Sequence, residues 1–132
     1  MSAEDNKRLV RATWDAVTAG DIDTFLGNLA DDVTWTFFGS HRFAGTFRGK
    51  DELLAKLFGP LGEVLEDGIK VTIDSLTAED DRVVIEARGE ARAKSGAPYN
   101  NHYCIVVTVS DGRIRHVREY LDSELVTAVF GR

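Results

Sequence analysis

The chain has 132 residues, 43% of them apolar, with 16 Lys and Arg against 22 Asp and Glu and a net charge of −6. This is one domain's worth of chain, able to bury a core with room for a pocket. It has no dense run of basic residues to follow a phosphate backbone, so nucleic acid is not expected as a partner. No apolar stretch approaches a membrane span, and the polar, acidic start "MSAEDNKRLV" lacks the basic-then-apolar order of a signal peptide, so a cytoplasmic location and no membrane partner are expected.

From Glu4 to Ala19, Leu9, Val10, Trp14 and Val17 form the stripe of an amphipathic helix that Gly20 ends. Asp21 caps a second, short helix with Ile22, Phe25, Leu26 and Leu29 on its apolar face. "ADD" closes that helix before "VTWTFF", whose β-branched and aromatic residues predict a strand. Residues 39–50, with three glycines and no helical period, read as a long irregular segment containing His41. Helical spacing resumes from Asp51 to Phe58 and is interrupted by Gly59-Pro60. Strands are predicted at about 69–77, 82–94, 99–109 and 113–121, separated by "AEDD", "KSGAP" and "SDG". Asp122 then N-caps a last short helix bearing Leu125, Val126 and Val129. Helices first and a four-strand antiparallel meander after them make an α+β layout, and an apolar cone between the two layers is a natural place for a small-molecule site.

The stretches "AGDIDTFLGNLADDVTW", "FAGTFRGKDELLAKL" and "YNNHYCIVVTVSDGRIRHVREYLDSELV" resemble the nuclear transport factor 2-like superfamily, in particular its SnoaL-like and ketosteroid isomerase-related branch, over nearly the whole chain. The resemblance implies a single SnoaL-like domain over residues 1–132, with a curved antiparallel sheet wrapped around N-terminal helices as a cone (the cystatin-like fold). It also implies a homodimer, and function in this superfamily is weakly specified by fold. The residues that ketosteroid isomerases use fall by similarity on Thr13, Phe37 and Asn101 or Tyr103, and none of the three is retained. Limonene epoxide hydrolases are similar in part: their Arg-x-Asp strand motif matches Arg88-Gly89-Glu90 and their second aspartate matches Glu119. Their water-holding tyrosine and asparagine fall on Trp35 and Phe37.

On the residues themselves, a carboxylate in an apolar pocket has its pKa raised towards neutrality, and an adjacent arginine pulls it back down. Glu119 is therefore the preferred proton-transfer residue, with Arg88 and Glu90 as tuning groups and Asn101 and Tyr103 orienting a water or substrate oxygen. Trp14, Trp35, Phe37, Ile105, Val117 and Leu121 are the expected walls. Along 82–94 the charged Glu86, Arg88, Glu90 and Arg92 alternate with Ile85, Ala87, Gly89 and Ala91, which equally describes a solvated charged face over a small apolar one. The resemblance favours the first reading and turns Ala87, Gly89 and Ala91 towards a second subunit.

Hairpin register decides what Glu119 meets. A three-residue loop at "SDG" sets it opposite Tyr103, with Asn101 opposite Leu121, and a two-residue turn sets it opposite Cys104. The first is preferred because it gathers Glu119, Tyr103 and Asn101 on one face and sends His102 and His116 to the other.

The single cysteine, Cys104, has no partner for an internal disulfide and reads as a small hydrophobe, and three scattered histidines offer no metal spacing. The expected activity is cofactor-independent acid/base chemistry on a hydrophobic small molecule, most concretely epoxide hydrolysis. Isomerisation or cyclisation of a polyketide- or terpene-like compound, or binding alone, are the alternatives.

Overall fold

A computed structural model describes residues 2–132. Helix α1 (Ala3–Ala19) opens on a reciprocal cap: Ser2 Oγ accepts from the Asp5 N–H at 3.1 Å, and the Asp5 carboxylate accepts from the Ser2 N–H at 3.3 Å. Its buried stripe includes Val10, Thr13 and Trp14. Helix α2 (Ile22–Gly27) is capped by Asp21, whose carboxylate accepts from the Thr24 N–H and hydroxyl, and it turns Phe25 inward.

Strand β1 (Leu29–Phe37) and a short β2 (Gly45–Arg48) are followed by α3 (Lys50–Leu53), a π-helical turn (Leu54–Phe58) and α4 (Gly59–Val64). Strands β3 (Lys70–Glu79), β4 (Arg82–Glu90), β5 (His102–Ser110) and β6 (Arg113–Leu121) precede α5 (Ser123–Phe130), which Asp122 caps by accepting from the N–H groups of Glu124 and Leu125. The sheet runs β2-β1-β6-β5-β4-β3 and is antiparallel except where β1 lies parallel to β6. The α+β layout and the meander are as expected, with six strands in a curved, unclosed mixed sheet and α1 packed on β3 and β4. Among the described residues no helix is long and apolar enough to cross a membrane.

Several local features differ from the sequence reading: α2 ends at Gly27, so Leu29 and "ADD" open β1 rather than finish the helix, and β4 stops at Glu90 short of the expected 94. The segment 39–50 contains β2, which pairs Trp35 with Phe47 and Phe37 with Gly45. Gly59-Pro60 does not end the helical course after Phe58. Pro60 lacks the N–H that an α-turn would need and crowds the preceding turn, so the chain widens into the π-turn and continues to Val64.

The β5–β6 hairpin follows neither expected register. Asp111 and Gly112, both at positive φ (53° and 74°), form a two-residue turn closed by Ser110 and Arg113. The pairing then shifts between Thr108 and Val109, which face His116 and Ile114, so Arg115 is an extra residue in a bulge. Beyond it Glu119 lies opposite Ile105 and Tyr103 opposite Leu121. The extra residue restores the parity that a plain two-residue turn would have lost, and Glu119 and Tyr103 share the inner face as diagonal neighbours.

Candidate functional site

Inner-face residues of β1, β5 and β6 meet α1 and the π-turn around a cavity of about 80 Å³. Its walls include Trp14 and Val17 from α1, Trp35 and Phe37 from β1, Leu57 and Phe58 from the π-turn, Tyr103 and Ile105 from β5, and Leu121 from β6. Four of the expected wall residues with full aromatic or aliphatic side chains at its edge (Trp14, Trp35, Phe37 and Ile105) are buried, and Leu121 is half-buried. Val117, also expected there, is fully buried in the core and does not line the cavity.

Glu119 is the one carboxylate in this lining, and it is 7% exposed. Burial without a compensating cation pushes its carboxyl up to about 8, an effect that the indole of Trp35 opposes only in part. Trp35 Nε1 is directed at this carboxyl, yet it has no partner in full hydrogen-bond geometry. The Tyr103 hydroxyl is likewise buried without a partner. Burial and the nearby Tyr99 and Glu119 raise the Tyr103 phenol, and burial raises that of Tyr99 as well. Both phenols therefore stay protonated and able to donate. A buried polar atom left unpaired is unfavourable unless something else occupies the space before it.

Gly89 explains why Tyr103 can lie where it does. A Cβ at this position would stand 2.7 Å from Tyr103 Cε2 and 3.2 Å from its hydroxyl. The phenol therefore lies across a bare stretch of β4 backbone, and the small face of β4 (Ala87, Gly89) looks into the molecule rather than towards a second subunit.

Arg88 and Glu90 are on the other face. Arg88, about half exposed, forms a bidentate pair with Asp74 of β3 (2.9–3.2 Å), which holds the Asp74 carboxyl below its ordinary value. Glu90 is exposed. Strand alternation separates these two side chains from Glu119, so the expected charge trio of Arg88, Glu90 and Glu119 does not form.

Asn101 is buried, but its amide is fully engaged. Oδ1 accepts from the N–H groups of His102 (2.8 Å) and Asp122 (3.0 Å), while Nδ2 donates to the Asp122 carbonyl and the Tyr99 hydroxyl, both at 3.2 Å. It is a clamp between the start of β5 and the end of β6, and it reaches the cavity only through Tyr99. His102 and His116 are exposed on the outer face, where His116 Nδ1 lies 2.7 Å from Thr34 Oγ1. His41 lies in the loop between β1 and β2 but is buried there: Nδ1 accepts from the Phe43 N–H at 3.1 Å, and burial lowers its pKa.

Tyr99, Phe43, Phe58 and Leu61 also line the cavity without having been expected. Tyr99 was within reach, since it shares the parity of Asn101 and Tyr103 on an extended run, whereas Phe43, Phe58 and Leu61 arrive from segments whose course only packing defines. Among the described residues no three His, Cys, Asp or Glu side chains gather to hold a metal.

A sequence profile of the SnoaL-like domain matches residues 10–117. The chain is 29% identical over 130 residues to the uncharacterized protein Rv0034 of Mycobacterium tuberculosis, covering 98% of each. In structure it is similar to Bal32a from a soil-derived mobile gene cassette (TM-score 0.84, 27% identity, 98% of both chains). It is also similar to an M. tuberculosis LEH-like epoxide hydrolase (TM-score 0.75, 24% identity, 97% of this chain and 90% of the other), a likeness of fold alone.

Proposed function

Because the chain belongs to the SnoaL-like domain family, whose fold hosts many chemistries, we propose from the cavity's own groups that it is a cofactor-independent proton-transfer enzyme acting on a mostly apolar small molecule with a carbonyl group. The observation that carries this is the uncompensated Glu119 carboxyl, held near 8 in an apolar cavity beside two buried donors that no protein acceptor engages in full hydrogen-bond geometry, Trp35 Nε1 and Tyr103 Oη.

With the carbonyl oxygen in front of these donors, the ionised fraction of Glu119 removes a proton from the adjacent carbon. The C–H electron pair moves into the enolate, and the two donors stabilise the charge that develops on oxygen. For a β,γ-unsaturated ketone, Glu119 returns the same proton to the γ-carbon and the conjugated isomer leaves, with no net gain or loss of atoms or electrons. A carboxyl near 8 suits this task, being basic enough to take the proton and acidic enough to return it. The hydrolytic alternative draws on Arg88 and Glu90, whose side chains lie on the outer face.

The test is a panel of allyl ketones and epoxides assayed with wild type and Glu119→Gln. Conjugation of allyl ketones, followed by ultraviolet absorbance, is expected, with kcat/KM rising with pH to a plateau above about 8. A loss of about 10²-fold or more is expected in the variant. Unchanged turnover in Glu119→Gln sinks the assignment; epoxide opening without ketone conjugation restores hydrolysis, and stoichiometric binding without turnover leaves a binding protein.

A further inference from the structure

A second cavity, of about 190 Å³, adjoins the first. It is bounded by the end of α1 (Ala16, Gly20), by Ile22 and Phe25 of α2, by Gly62 of α4 and by Gly68. Asp21 stands at its edge with both carboxylate oxygens bonded to Thr24. Val17, Phe58, Leu61 and Ile69 line both cavities, and all four are half-buried. The two cavities thus share a wall. Phe58, from the π-turn, is one of these shared residues, and its ring lies edge-on to Phe25 of the second cavity (5.3 Å) and to Trp35 of the first (6.3 Å), which also touch each other (5.9 Å).

The sizes divide the ligand. An apolar cavity of about 150 Å³ holds a benzene ring, so the Glu119 cavity takes only a narrow group, whereas the second is ring-sized. From this shared, half-buried wall, and resting on the proton-transfer reading above, we propose that the second cavity is a binding subsite for the uncharged, ring-sized apolar body of the substrate. The narrow carbonyl end then passes between Phe58, Leu61, Val17 and Ile69 to reach Glu119. The substrate class is a ketone whose carbonyl is separated from a ring or branched apolar group by a short unbranched spacer.

Two probes separate this from the chemistry: allyl methyl ketone, which fills only the first cavity, and allyl phenethyl ketone, which adds the apolar body. Trp14 and Trp35 line the first cavity and no tryptophan lines the second, so quenching of intrinsic fluorescence reports arrival of the carbonyl end without need of turnover. A Cβ at Gly62 would meet no atom within 4 Å, which leaves room for Gly62→Leu to fill the subsite. Ile22, 45% exposed, lines only the second cavity and gives a milder variant, Ile22→Ser.

The phenethyl ketone is expected to bind wild type about tenfold or more tightly than the methyl ketone, the burial of one aromatic ring. Gly62→Leu, checked for folding by its melting curve, is expected to abolish that gain and leave the methyl ketone unchanged, and Ile22→Ser to reduce it. Equal affinity of the two probes, equal weakening of both in the variants, or quenching by neither overturns the subsite. If the gain and its loss are seen while Glu119→Gln retains full turnover, the subsite stands and the catalytic reading falls.

Discussion

Glu119 and Tyr103 show how little separates a structural residue from a chemical one. Each is polar, each is on the inner face of an ordinary strand, and each stands apart from its neighbours, Tyr103 by a buried hydroxyl without a hydrogen bond in full geometry and Glu119 by a buried carboxyl with no cation beside it. Arg88 makes the contrast, because its charge is paired with Asp74 and its half-exposed side chain lies on the outer face, away from the cavity. Gly89 is the residue on which the arrangement depends most directly, since a single methyl group there collides with the Tyr103 ring. Tyr103→Phe is expected to lower kcat about 10²-fold, the usual effect of removing one donor to a developing oxyanion. Gly89→Ala is expected to lower it similarly while also destabilising the fold by about 1–3 kcal/mol, because overpacking is added to displacement. Steady-state kinetics and urea unfolding of the two variants check this, and a Gly89→Ala enzyme of full activity contradicts the packing argument. The chemical candidates Glu119 and Tyr103 are readable in the sequence as polar residues of matching parity. Their lack of partners is not, because satisfaction of a hydrogen bond depends on what other strands bring.

At the level of elements, the hairpin and its clamp decide the site. The turn at Asp111-Gly112 predicts one register, and the bulge at Arg115 converts it into another with the opposite parity. Asn101 then ties the start of β5 to the end of β6 through its bonds with the Asp122 N–H and carbonyl. Its removal strands three part-buried backbone groups at once, the N–H of His102 and the N–H and carbonyl of Asp122. Asn101→Ala is expected to destabilise the protein by about 2–4 kcal/mol with kcat of the folded enzyme changed by less than about threefold, the magnitude of an indirect effect through Tyr99. Denaturant midpoints and kinetics at saturating ketone measure both quantities. A large fall in kcat with unchanged stability makes Asn101 a catalytic donor instead. The π-turn belongs to this scale too: Gly59-Pro60 was visible as a disruption of the helix, but that the chain widens around Pro60 and continues, turning Leu57 and Phe58 into the cavity, was not.

Across the whole molecule, placing an uncompensated acid in the cone opposes stability. The folded state binds the Glu119 proton more tightly than the unfolded chain, so this residue's contribution is fully present below its ordinary value near 4.5 and is lost as the pH rises towards about 8. The slope within that window is up to about 1.4 kcal/mol per pH unit. Glu119→Gln is therefore expected to be more stable than wild type at pH values above about 8 and to lose this advantage towards about 4.5; urea unfolding across that range is the measurement, and equal stability at all pH values contradicts a strongly raised carboxyl. His41 acts in the opposite sense: its lowered pKa gives stability present above about 6.5 and lost as the pH falls through its folded value. The sequence by itself determined most of the elements, the meander and the α+β class, because periodicity, caps and turn residues are local and the chain carries them in order; the family was legible as a resemblance of longer stretches. It also offered a carboxylate and a phenol on adjacent strands of one hairpin as the chemical candidates. Only the tertiary structure decided which face of β4 looks inward, how the bulge sets the register, and that Glu119 has no cation beside it. Those outcomes depend on contacts between residues far apart in the chain, where pairing, burial and the absence of a partner are properties of the packed molecule.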